Sequence, residues 1–249
     1  MRTTIAIAFL TVLFSPALRP QTPRDVMQTF ANRQFILFHS DGNDKIRLKK
    51  GRLNRESGPC DLAVEVHSTS WDNGKVSLLL ENIGTAHLAN GATKPCPRMT
   101  ETTTLEISGF AVDEPAALLT DSMRQVLKTP EEYLAANGIR FDYPPAPDDQ
   151  NKEIAAKPPP PIAHPELLLG VDGSYSEAAR KQRLNGSVTM KVLVGTDGRI
   201  HDAHIFQGLG NGLDENALRV LPMWRFTPAH QGDHPVARPA TISMNFKII

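Results

Sequence analysis

The sequence predicts an α+β protein, and three observations carry that prediction. Apolar residues alternate with polar ones at a period of two in both halves of the chain, at Leu62, Val64 and Val66 and again at Val188, Met190, Val192 and Val194, the pattern of half-buried strands. Helix-start chemistry recurs between those runs, as in Thr129-Pro130-Glu131-Glu132, a capping box with proline at the first turn. A proline-rich stretch from Asp142 to His164 divides the strands and helices into two sets. Residues 22–141 therefore read as a small, mainly β domain with helices at its ends. Residues 165–249 read as a three-stranded antiparallel sheet with two helices.

The N-terminus reads as an export segment. Arg2 is followed by an apolar run from Ile5 to Phe14 and by small residues at Ser15-Pro16-Ala17, the layout of a signal peptide. The uncharged stretch is short for a membrane span, which needs about 20 residues. Residues 1–21 are thus either a cleaved signal or a short anchor. Arg2 and Arg19 flank the run symmetrically, so charge does not set an orientation. The chain has 27 Lys+Arg and 27 Asp+Glu residues, which argues against a nucleic-acid binder working by bulk charge. Cys60 and Cys96, each beside a proline, are candidates for a disulfide in an exported protein. It would close a loop of about 37 residues, roughly 3–4 kcal/mol in the chain-entropy model. Two unrelated buried thiols are the other possibility, and neither spacing suggests a metal or redox site.

In the first domain, Thr22-Pro23-Arg24-Asp25 opens a short helix. Strand-like runs follow at Gln34–His39, Asp61–His67, Lys75–Asn82 and Thr102–Ser108, separated by turn chemistry such as Asp41-Gly42-Asn43 and Asp72-Asn73-Gly74. One helix is expected from near Asp113, and a second from Thr129 to the stop at Gly138. The linker, residues 142–164, contains the run Pro158 to Pro161, which favours an extended polyproline helix. At about 3.1 Å per residue it would reach at most about 70 Å. Its plain reading is a spacer.

The second domain is expected to run helix (Tyr175 to Leu184), strand from Gly186, the Asp197-Gly198 hairpin turn, return strand (Arg199 to Gln207), helix from Leu213 to about Leu221, and a last strand. Ala217, Leu218 and Leu221 should face the core. In the last strand Ile242, Met244, Phe246 and Ile248 should point one way. The helix runs into Trp224-Arg225-Phe226 and Pro228. Two large aromatics there read as core plugs rather than a cofactor box, and the proline ends the helix.

In this order these residues resemble the TonB C-terminal domain family. The resemblance rests on Tyr175, Ala179 and Arg180, then Gly186 and the Asp197-Gly198 turn. It continues through Leu213-Asp214 with Ala217, Trp224-Arg225-Phe226 with Pro228, and the closing "HPVARPATISMNFKI". It covers about residues 165–249. The family's Tyr-Pro is Tyr175-Ser176 here, and the N-terminal run lacks the membrane-helix histidine of proton-coupled members.

The resemblance implies a periplasmic, exported protein that binds an extended peptide of an outer-membrane TonB-dependent receptor. It also implies proton-motive energy transduction with an ExbB–ExbD motor and an inner-membrane anchor. A sheet edge offers unpaired N–H and C=O groups that such a peptide can pair with. The matching edge is Ala240, Thr241, Ile242, Ser243, Met244, Asn245 and Phe246, with Thr241, Ser243 and Asn245 outward. The same edge could meet a second copy in a homodimer. The alternative function is a soluble periplasmic peptide-binding or assembly module with no motor coupling.

No enzyme pattern is present. Gly208, Gly210 and Gly212 imitate a dinucleotide loop, but Leu213 stands where the pattern needs its last glycine. His201 and His204, three apart on a strand, should face opposite ways, and His230 and His234 have no acidic cluster beside them in sequence. No cofactor, metal or nucleic acid is expected.

Overall fold

The computed structural model describes residues 22–40, 45–49, 52–54, 60–89, 102–139 and 163–248. The segment 1–21, Cys96, the turn at 41–43 and the polyproline run all lie outside the described residues.

One long strand organises the chain because it has different neighbours along its length. The first half carries helix α1 (Pro23–Gln28) and strands β1 (Arg33–Ser40), β2 (Lys45–Lys49), β3 (Arg52–Asn54), β4 (Cys60–Asp72), β5 (Lys75–Leu88) and β6 (Thr102–Ser108). Helix α2 (Ala116–Val126), strand β7 (Leu127–Lys128) and helix α3 (Pro130–Ala136) follow. The sheet order is β3-β2-β6-β5-β4-β1-β7. The expected capping box of Thr129 with Glu132 forms, and Thr22, expected to open α1, makes a second one with Asp25.

The second half begins with β8 (Glu166–Gly173), a strand the periodicity did not announce. Helix α4 (Glu177–Gln182), strands β9 (Gly186–Val194) and β10 (Ile200–Gln207) and helix α5 (Leu213–Val220) follow. A 3-10 turn (Leu221–Met223) leads to β11 (Arg225–Thr227), the small hairpin β12 (Ala229–Gln231) and β13 (His234–Val236), and β14 (Arg238–Phe246). The expected three-stranded antiparallel sheet is there, in the order β10-β9-β14.

Strand β8 joins the two halves. It pairs with β11 on one side, and on the other with the end of β5, from Gly84↔Gly173 to Leu88↔Leu169. The close approach needs glycine. A Cβ at Gly84 would overlap the carbonyl oxygen of Asp172, and one at Gly170 would stand 2.7 Å from Nε2 of His87.

The core has two clusters, one within the first half and one shared by both halves. Leu62, Val64 and Val66 of β4 pack with Phe35 and Leu37 of β1 against α1 and α2. The opposite face of those strands, Ile36 and Ala63, does not meet water. With Ile83, Tyr133 and Leu134 it packs into one cluster with Val188, Met190, Val220, Trp224 and Phe226. The sheet of the first half is therefore covered on both faces, which explains the unbroken apolar run Phe35-Ile36-Leu37.

Three expectations are corrected. Tyr175 lies before α4, because the Ser176 hydroxyl accepts the Ala179 N–H and caps the helix there. Leu218 is 36% exposed while Ala217 and Leu221 are buried, so the α5 stripe is narrower than expected. Ile248 is exposed, because β14 ends at Phe246. His201 sits at a bulge between Ile200 and Asp202 and meets Asp197 at 2.8 Å, while His204 is exposed on the strand.

Candidate functional site: the free edge of the last strand

Strand β14 is held on one side by β9, from Arg238↔Val194 to Phe246↔Gly186. Among the described strands none pairs with its other side, so its backbone groups there are open to an added strand. Met244 and Phe246 anchor it in the core, and Ala240 and Ile242 are half-buried. Thr241, Ser243 and Asn245 are exposed. Two of these are already engaged across the sheet: Ser243 bonds Thr189 at 3.2 Å, and Ser187 donates to Asn245 at 2.6 Å. They stiffen the outer face of β14.

A cleft of about 380 Å³ borders the edge. Ile242, Ser243 and Asn245 line one side, and Leu167 and Asp172 of β8 with Trp224 and Phe226 line the other. His87, at the end of β5, completes it. Its volume is in the range of a ligand pocket, about 300–1,000 Å³. Asp172 and His87 are the ionisable pair in it, with Nδ1 of His87 3.5 Å from Oδ2 of Asp172. Burial raises the Asp172 carboxyl above its ordinary range, and His87 partly offsets this.

The remaining sequence-marked residues build the frame rather than the edge. The Tyr175 hydroxyl donates to the Leu184 carbonyl at 2.8 Å, and its ring meets Phe246 edge-on at 5.6 Å. Arg180 stacks over Tyr175 at 5.9 Å, and Ala179 is fully buried. Gly186 leaves room for the Leu209 side chain. Asp197 accepts the Arg199 N–H at 3.1 Å to close the turn, and the Gly198 carbonyl accepts the Phe226 N–H at 2.9 Å. The hairpin tip is thus tied to the aromatic triplet.

Asp214 accepts the N–H groups of Leu209 and Gly210 at 2.8 and 3.2 Å, which closes the glycine loop on itself. Leu213, Ala217 and Pro228 are buried. The Trp224 indole donates to the Val171 carbonyl at 2.9 Å, which ties the triplet to β8.

Arg225 does more than separate two aromatics. It is only 4% exposed. It donates to the carbonyls of Pro222 at 2.8 Å and Trp224 at 2.7 Å, and to the carboxylate of Glu131 on α3 at 2.8 Å. Arg199 reaches the same carboxylate at 2.7 Å. Burial pushes the Glu131 carboxyl up, but Arg225, the residue's own backbone N–H and Arg199 together outweigh it and hold it below the usual range. On α5, Arg219 grips Glu65 and Glu81 of the first half. Sequence reasoning missed these partners. Glu65 and Glu81 sit at ordinary polar positions of amphipathic strands, and only the docking of the second half turns them into junction residues.

Among the described residues no group of three or more His, Cys, Asp or Glu could hold a metal ion. Among them no helix is long and apolar enough to cross a membrane. No described cysteine is a free thiol. Cys60 is buried at the start of β4.

Residues 172–248 match the family described as Gram-negative bacterial TonB protein C-terminal. No curated protein matches the chain. Among solved structures, the chain is similar to the solution NMR structure of the Pseudomonas aeruginosa TonB C-terminal domain, at 26% identity over 41% of this chain and 89% of that one, with a TM-score of 0.25.

Proposed function

From a TonB-type C-terminal domain at residues 172–248, we propose that the chain is a periplasmic TonB-like protein that binds an extended peptide of an outer-membrane receptor by strand addition at β14. The observation that carries this reading is the edge itself. Strand β14 is paired along one side, unpaired along the other among the described strands, and borders a cleft. Backbone pairing would supply affinity, and the cleft would sort side chains. The family is one of binding and transducing proteins, which supports a binding role over an enzymatic one.

Energy transduction with an ExbB–ExbD motor is the finer part of the proposal, and it requires residues 1–21 to remain as an inner-membrane anchor. The alternative, a soluble periplasmic binding or assembly module, draws support from the β5–β8 pairing. While that pairing holds, residues 142–164 add no reach to the second half. An intact mass of the protein from membrane and periplasmic fractions separates the two. A full-length chain in the inner membrane fits the transducer, and a soluble chain shortened at its N-terminus removes motor coupling.

Strand addition is tested with a photo-reactive amino acid at Ser243 in the producing cell. Adducts with an outer-membrane receptor support it. Adducts between two copies of the chain would assign the edge to a homodimer, and adducts with neither would overturn peptide pairing at β14.

A further inference from the structure

The first half of the chain reaches the cleft beside β14. His87 ends β5, where the β5–β8 ladder pairs it with Gly170. The glycine lets the imidazole lie against the β8 backbone. The ring is largely buried, with its side chain 20% exposed, whereas the Asp172 side chain is 44% exposed. Nδ1 of His87 is buried without a hydrogen-bond partner. Asp172 stands 3.5 Å away, and among the described residues no side chain donates it a hydrogen bond. Leu167, Trp224, Phe226 and Ile242 supply apolar wall, and Ser243 and Asn245 line it on the β14 side. One end of the cleft therefore holds a carboxylate and an imidazole whose bonding capacity is unfilled, and the carboxylate can accept further N–H donors. Unfilled polar groups in a site strongly favour the ligand that fills them.

We propose that the first half of the chain is part of the peptide site: His87, with Asp172 beside it, selects peptides that present an N–H donor side chain (lysine, arginine, asparagine or glutamine) towards β5. This rests on strand addition at β14. A strand added there has its inward side chains between the two walls. Apolar ones meet Leu167 and Phe226, and the one at the β5 end meets the His87–Asp172 pair. The matched segment 172–248 does not contain His87, so this selectivity is a property of the whole chain.

The test uses the full chain and four capped seven-residue peptides of alternating Val and Thr that differ only at the central position: Lys, Gln, Ala or Glu. Calorimetry gives affinities, and amide hydrogen exchange reports on residues 240–246. The wild type should bind the Lys and Gln peptides about tenfold tighter than the Ala and Glu peptides, the scale of one well-made polar contact. His87→Phe keeps a ring over Gly170 and removes the nitrogens, so it should level the series while still binding the Ala peptide. Asp172→Asn should weaken the Lys peptide selectively, and it serves if His87→Phe misfolds. Slowed exchange at 240–246 with a donor preference absent in the wild type, or unchanged in both variants, overturns the role of His87. Absence of slowed exchange with every peptide overturns strand addition at β14, and this proposal with it.

Discussion

Arg219 on α5 forms paired hydrogen bonds with the carboxylate of Glu81 on β5, one of them from Nη2 to Oε2 at 2.7 Å, although 138 residues separate the two in sequence. The same guanidinium reaches Glu65 on β4 at 2.9 Å, and His67 adds a contact to Glu81 at 2.7 Å. The bidentate geometry suits a guanidinium and not an ammonium. Its bond to Arg219, first of all, and then that to His67, overcome the effect of burial and lower the Glu81 carboxyl to about 2. Arg219 itself is raised by the same contacts.

Replacing Arg219 by Met should therefore destabilise the protein by about 2–3 kcal/mol at neutral pH, below the 3–5 of a fully buried pair because both sides remain partly exposed. The pH dependence has a definite sign. A carboxylate whose folded pKa is depressed adds stability that is complete above its ordinary pKa of 4.5 and is lost as pH falls towards about 2. After allowance for solvent screening, that linked part is about 1–2 kcal/mol. Urea unfolding at pH 7 and pH 3 checks this: the gap between wild type and Arg219→Met should narrow at pH 3. A gap of equal size at both pH values would remove Glu81 as the linked group.

Glu131 poses a contrast between two arginines on one carboxylate. Arg225 is buried and Arg199 is half-exposed. Glu131→Gln leaves the buried guanidinium without its counter-charge and should cost about 1.5–3 kcal/mol. Arg199→Ala removes only an exposed partner and should cost under about 1 kcal/mol. Thermal unfolding of the two variants measures both. Equal costs would mean that Arg225 is satisfied by the carbonyls of Pro222 and Trp224 alone.

A pairing of Cys60 with Cys96 is checked by mass. Thiol alkylation of the denatured protein should add nothing without reductant and two labels with it. Reduction should also lower stability by roughly 3–4 kcal/mol, the closure entropy of a loop of about 37 residues. Two labels without reductant would leave two separate thiols.

The second half was legible in the sequence because its signals are local. The Asp197-Gly198 turn, the alternation in β9 and the chain of motifs from Tyr175 to Pro228 each constrain a few neighbouring residues, and the three-stranded sheet follows from them. Strand β8 was not legible. "ELLLGVDG" has no clean period of two, since it is buried between β11 and β5 and carries glycines where another backbone comes close. The junction was hidden for the same reason. Glu65 and Glu81 read as solvent-facing positions, and nothing near them in sequence announces Arg219. The edge of β14 was legible, but its cleft was not, because His87 and Asp172 reach it from elements that only the β5–β8 ladder brings together.

That ladder can be tested at two glycines that tolerate a side chain differently. A Cβ at Gly84 would meet the backbone carbonyl of Asp172, which cannot turn aside without opening the β5–β8 pairing. A Cβ at Gly170 would meet the His87 ring, a side chain that can move. Gly84→Ala should therefore cost about 2–3 kcal/mol, the upper range of overpacking, and Gly170→Ala about 1 kcal/mol. Hydrogen exchange should show where the cost falls. In Gly84→Ala the amides of residues 84–88 and 166–173 should lose protection while those of β9 keep it, because β9 is held by β10 and β14. His87→Ala should relieve Gly170→Ala and leave Gly84→Ala unimproved, since only the first clash is with the imidazole. Equal protection across the ladder in Gly84→Ala would mean that the two halves are held by their shared core and ion pairs, with the β5–β8 hydrogen bonds secondary.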